Sequence, residues 1–119
     1  MVTVQIAWDG TEDTKEDRLN YVKKLIKGLG CKPTSPVETY DIHYICGDVI
    51  LNVTCPFGEL DIWIKGVDKS VLNFATPIVD MIHNYISEQI KDGKWSNDNY
   101  ETRVSLDLYE VETTCRCES

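Results

Sequence analysis

Between residues 38 and 65, three runs of alternating apolar and polar residues follow one another with almost no chain between them. ETYDIHYIC (38–46) and VILNVTC (49–55) are separated only by Gly47-Asp48, and Pro56-Phe57-Gly58 turns the chain into ELDIWIK (59–65). A two-residue link can join antiparallel strands only, because a parallel crossover needs roughly a dozen residues. This stretch must therefore form an antiparallel meander. In its third strand Leu60, Ile62 and Ile64 share one face, while Asp61, Trp63 and Lys65 share the other.

The rest of the chain supplies cover for the meander's apolar face. Residues 2–8, VTVQIAW, alternate with Val2, Val4, Ile6 and Trp8 on one side, which predicts a half-buried strand broken by Asp9-Gly10. Thr14 with Asp17 three residues on resembles a capping box. A helix is expected from there to about Leu29, along the stripe Leu19, Val22, Leu25/Ile26 and Leu29. Lys23, Lys24 and Lys27 stand in its last turns, where the helix dipole favours cations, and Gly28 and Gly30 bracket its end. Lys32 and residues 33–36 read as a loop.

A second helix is expected over 78–90 (IVDMIHNYISEQI), with Thr76-Pro77 at its start and SVLNFA before it as an extended segment or loose turn. Its apolar positions Ile78, Met81, Ile82, Tyr85, Ile86 and Ile90 cover an arc broad enough to touch both the sheet and a second copy of the chain. After the polar loop KWSNDNY, TRVSLDLYEV (102–111) predicts a last strand with Val104, Leu106 and Leu108 inward. The order β-α-β-β-β-α-β makes an α+β fold: a mostly antiparallel sheet with two helices packed on one face. A single domain over 1–113 and a flexible tail over 114–119 are expected.

Twelve Lys and Arg against twenty Asp and Glu give a formal charge of −8, which repels duplex nucleic acid and anionic membrane. No DNA, RNA or membrane partner is expected, although a small phosphorylated ligand needs only a local basic pocket. No apolar run approaches the ~20 residues of a membrane span, and MVTVQIAWDG has no basic leader, so the chain reads as cytosolic. The five cysteines (Cys31, Cys46, Cys55, Cys115 and Cys117) favour reduced thiols over a disulfide framework. Cys115-Arg116-Cys117 is a single pair in a polar tail, too little for a zinc site. Asn52-Val53-Thr54 fits a glycosylation sequon that has no meaning without secretion.

Most chemical motifs are missing. The carboxylates Asp9, Glu12, Asp13, Glu16 and Asp17 lack the glycine and glutamate of a calcium loop, and a helix's first turn accounts for them. Asp41 and His43 share a strand face and His83 lies on the second helix, an assortment that would have to assemble for acid–base work. There is no glycine-rich phosphate loop, no GxSxG and no nucleophile signature, so no enzyme and no cofactor are expected. Arg18, Arg103 and Arg116 are the arginines, and Arg103 begins a strand beside an aromatic-bearing loop, suited to phosphate. Composition alone would make it a surface arginine paired with a carboxylate, Phe74 a core residue and Asn84 a solvated helix position. Trp63, facing away from the core, suggests helix cover or a self-association surface.

VTVQIAWDG, YDIHYI, SVLNFATPIVDMIHNYISEQI and the ETRVSL strand resemble the small phage anti-Thoeris sponge proteins over most of the chain. That resemblance implies an oligomer that binds and sequesters a cyclic ADP-ribose isomer, and in some members cyclic dinucleotides at a separate site, without cleaving them. It further implies a messenger pocket between protomers, with Phe74 stacking on the base, Asn84 ten positions along on a helix, and Arg103 at the pyrophosphate. It places the protein in the cytosol of a host bacterium, acting against its defence. Two alternatives remain open from the residues: an acidic inhibitor that mimics DNA toward a nucleic-acid-binding defence complex, and a nucleotide-cleaving enzyme built on Asp41, His43 and His83.

Overall fold

The computed structural model describes residues 1–34, 38, 40–56, 58–96 and 102–110. The expected tail 114–119, with Cys115, Arg116 and Cys117, lies outside them, as does Tyr100. The elements are β1 (Val2–Asp9), α1 (Lys15–Gly28), β2 (Lys32–Pro33), β3 (Asp41–Cys46), β4 (Val49–Thr54), β5 (Leu60–Gly66), α2 (Leu72–Lys91) and β6 (Arg103–Glu110). Short 3-10 turns, Glu12–Thr14 and Lys69–Val71, lead into the two helices. The six strands form one sheet in the order β2-β3-β4-β5-β1-β6, every neighbouring pair antiparallel. The fold is α+β.

Register explains the two faces. Ile42, Val53, Ile62, Ile6 and Leu106 stand opposite one another across successive strands, as do Tyr44, Leu51, Ile64, Val4 and Leu108. Except for the two leucines of β6, these residues are buried against Leu19, Val22, Leu25 and Ile26 of α1 and Ala75, Ile78 and Ile82 of α2. Leu106 and Leu108 point to the same side, as expected, yet stay 48% and 51% exposed because β6 is an edge strand that α2 meets only in part, with Val104 packed on the core. The other face carries three rows: Asp41-Thr54-Asp61-Ala7-Ser105, His43-Asn52-Trp63-Gln5-Asp107, and Ile45-Ile50-Lys65-Thr3-Tyr109. No helix lies there among the described residues. Trp63 does face away from the core, and it stacks on Tyr109, rings 6.4 Å apart, over a buried Thr3.

Four local expectations change. The Thr14–Asp17 capping box does not form: the Thr14 hydroxyl donates to the Thr11 carbonyl at 3.0 Å and accepts from Arg18 Nε at 3.0 Å. The second helix starts at Leu72, six residues before the expected Ile78, and Pro77 lies inside it. Its true start signal is Asp68, whose carboxylate accepts from the Ser70 amide at 2.8 Å and opens the 3-10 turn. Proline there deletes one bond, to the Asn73 carbonyl, and burial of Val71 and Ala75 offsets the loss. Lys32 and Pro33, read as loop, make a two-residue edge strand. That strand brings Cys31 opposite Cys46, Cα atoms 4.5 Å apart, and the two form a disulfide where free thiols were expected. Cys55 is buried and free. No described helix is long and apolar enough to cross a membrane.

Candidate anion-binding site

Where α1 ends, its carbonyls are taken up locally: the amides of Leu29, Gly30 and Cys31 donate to Leu25, Lys27 and Ile26. The chain then turns directly into β2 at the sheet edge. Between the last turns of α1 and the β2–β3 ribbon lies a hollow of about 590 Å³. Lys23 and Lys27, one helical turn apart, line it from α1, and Lys32 lines it from β2. Ile42 and Tyr44, both buried on β3, contribute the apolar surface together with Cys31 and Pro33. Burial pushes the Tyr44 phenol up, so it stays neutral and offers a flat ring.

Among the described residues no carboxylate lines this hollow. Among the described residues Lys23, Lys27 and Lys32 join no ion pair; the pairs present are Lys15–Glu12, His43–Asp41 and Arg103–Asp9. Three cations beside an aromatic and aliphatic wall can hold phosphate oxygens while packing a flat ring system. Two further hollows among the described residues differ in charge. One, about 360 Å³ on the open sheet face between His43, Asn52, Trp63 and Lys65, has a single lysine. The other, about 640 Å³, has Glu38 and Asp41 in its wall and would repel an anion.

The residues singled out from the sequence lie elsewhere. Phe74 is half-buried on α2 against the core, and Asn84 is exposed on the same helix, ten positions and about 15 Å further along its axis. Arg103 is exposed on the opposite face of the sheet, its Nε donating to Asp9 Oδ2 at 2.9 Å. One chain does not bring the three together, and none lines the lysine hollow.

The Asp41–His43 pair is also on the open face, His43 Nε2 3.3 Å from Asp41 Oδ1, with the Asn52 amide donating to that same oxygen at 2.9 Å. His83 is exposed on α2, across the sheet from them, so the three groups of the cleaving alternative are not assembled within the chain. Near the Arg103–Asp9 pair, Glu59 meets Asp61 and Asp9, and these contacts push its carboxyl up to about 7. Asp61 Oδ1 beside it is buried and has no hydrogen-bond partner among the described residues.

Sequence reasoning assigned Lys23 and Lys27 to the helix dipole and Lys32 to a loop, and so missed their convergence. The available signal was the i, i+4 lysine pair followed five residues later by a third lysine, in a chain otherwise dominated by carboxylates. Comparison with protein-family models and with curated proteins finds no match for this chain.

Proposed function

We propose that the protein is a non-enzymatic binding protein that captures a small anionic nucleotide at the lysine hollow and holds it uncleaved. One observation carries this reading. In a chain of net charge −8, three lysines without ion-pair partners among the described residues surround a hollow of nucleotide size walled by Ile42 and Tyr44. Unneutralised cations held together are costly unless an anion visits them, and the adjoining aromatic wall suits a base.

The resemblance to the anti-Thoeris sponges supplies the ligand class: a cyclic ADP-ribose isomer or a cyclic dinucleotide, sequestered by a homo-oligomer in the bacterial cytosol on behalf of a phage. Sequestration asks for tight binding only, so it needs no catalytic set. In the resemblance's own pocket, Phe74, Asn84 and Arg103 come from neighbouring protomers, which makes it a site separate from the lysine hollow.

The test is to incubate the purified protein with a panel of these nucleotides, remove unbound ligand, denature with heat and analyse what is released. Intact nucleotide is expected. Lys23→Glu with Lys27→Glu should abolish recovery if the hollow holds it, whereas loss in Phe74→Ala or Arg103→Ala instead would move the site to the inter-protomer pocket. Cleaved product would make the protein an enzyme. No recovery from any member of the panel would sink the reading.

A second reading is favoured by the opposite end of the molecule. The ends of β1, β3 and β5 and the start of α1 gather Asp9, Glu12, Asp13, Glu16, Asp17, Asp41, Glu59 and Asp61. Such a surface suits an inhibitor that presents DNA-like charge to a basic protein. That binding would weaken steeply with salt, whereas capture in a half-enclosed hollow responds less.

A further inference from the structure

The sheet's two edges are built differently. The β2 edge is two residues long, includes Pro33 with no N–H to offer, and is tied down by the Cys31–Cys46 disulfide. Short length and proline are ways in which natural sheets blunt an edge. The β6 edge is eight residues long and, among the described residues, pairs only with β1. Three consecutive helix-side positions, Val104, Leu106 and Leu108, are apolar, both leucines about half exposed, and the row ends at Glu110 opposite Val2.

We propose that β6 pairs antiparallel with β6 of a second copy about a two-fold axis through Leu106, joining two six-stranded sheets edge to edge. This assignment is independent of what the lysine hollow holds. In a two-fold antiparallel pair the residues that face each other lie on one side of the sheet. With the axis at Leu106, Leu106 meets Leu106 of the partner subunit and Val104 meets Leu108 of the partner subunit, so the apolar row continues from one core to the next. On the open face Ser105 meets Asp107 of the partner subunit, a hydroxyl against a carboxylate. Arg103 meets Tyr109 of the partner subunit, a guanidinium over a ring. Neighbouring registers fail. An axis at Asp107 sets two like charges opposite each other. An axis at Ser105 shortens the overlap and takes Leu108 out of the apolar row.

The test uses the full chain in sedimentation velocity from micromolar to submillimolar concentration. A dimer of twice the chain mass is expected. Leu106→Lys and Leu108→Lys should each raise its dissociation constant by roughly 30-fold or more, the size of an interface hot spot. Both positions are already half exposed, so far-ultraviolet circular dichroism should not change. A second measurement does not depend on those variants. In a Cys115→Ser/Cys117→Ser background, Leu106→Cys sits about 4.5–5.5 Å from its symmetry mate, within disulfide reach, and should cross-link under mild oxidation. Asp107→Cys in the same background faces position 105 and should not. A monomer throughout that range overturns the proposal. So does a dimer that ignores the lysine substitutions or fails to cross-link at position 106.

Discussion

Arg18 closes the connection between the first strand and the first helix. Fully buried, it donates from Nη1 to the Trp8 carbonyl at 2.9 Å, from Nη2 to the Thr11 carbonyl at 3.0 Å and from Nε to the Thr14 hydroxyl at 3.0 Å. A Cβ on Gly10 would come within 2.6 Å of its Nε, so the glycine makes room for the guanidinium. Burial lowers its pKa, opposed by Cys55 and by Asp9 and other carboxylates nearby. Arg18→Met strands two carbonyls and should cost about 3 kcal/mol, read as a fall in urea midpoint at constant slope; a loss under about 1 kcal/mol would show that water replaces the guanidinium. Glu59 gives a prediction with a pH sign. Its carboxyl titrates at about 7 in the fold against 4.5 as its ordinary value. Below both values the proton is bound in the folded and unfolded chain alike. As pH rises through that window the unfolded chain ionises first, so stability is lost with rising pH and levels off above it. Glu59→Gln removes the effect. Since the group is exposed, the variant's advantage should be near zero at low pH and only about 0.5–1 kcal/mol at pH ~8, and equal curves at both pH values would refute the raised carboxyl. The alternating core positions were legible at this scale, because period two fixes which side chains are buried. Arg18 was not, because its partners are backbone carbonyls, and a carbonyl leaves no mark on a sequence.

At the scale of elements, the helices are locked to the sheet through one aromatic cluster. Trp8 of β1 meets Tyr21, Tyr85 and Trp95 edge-on or tilted at 6.1–6.5 Å, and Tyr21 of α1 stacks on Tyr85 of α2 at 4.1 Å. The Tyr21 hydroxyl also donates to the Met81 carbonyl at 3.1 Å. Tyr85→Ala removes the ring that touches Trp8, Tyr21 and Trp95 alike and should cost about 3 kcal/mol while changing tryptophan emission; unchanged emission would mean the cluster does not persist in solution. The meander was readable because its turns are too short for anything else, and both helices were readable from their stripes. The start of α2 was misplaced because Pro77 is the stronger textual signal, while the Asp68 side chain sets the start physically. Strand β2 was invisible, since two residues have no period, and the disulfide went with it, since only that strand brings Cys31 to Cys46. The bond closes a loop with a separation of 15 residues. Chain entropy assigns such a loop roughly 3 kcal/mol. Reduction should therefore lower the urea midpoint of the wild type by that order and leave a Cys31→Ala/Cys46→Ala double variant unmoved.

Taken whole, the molecule has two electrical ends. α1 starts beside the carboxylates at the end of β1 and runs back, 14 residues and about 20 Å, to deliver Lys23 and Lys27 beside β2. The net charge of −8 and the local charge at the hollow thus have opposite signs, and ionic strength decides which of them an approaching anion senses. At ~0.01 M salt the Debye length is about 30 Å, so the distant carboxylates repel the ligand from across the protein. At ~0.15 M it is about 8 Å, shorter than α1, and only the lysines remain in view. At ~1 M it is about 3 Å, and their pull is screened as well. If the hollow takes the proposed cyclic nucleotide, its association rate should therefore rise with salt, pass through a maximum near ~0.1 M and then fall. Lys23→Glu with Lys27→Glu should remove the maximum and leave a slow rate that only rises. Stopped-flow measurement across that salt series checks this. A wild-type rate that falls from the lowest salt would mean that the lysines dominate at every range, and one that only rises would place the binding site away from them.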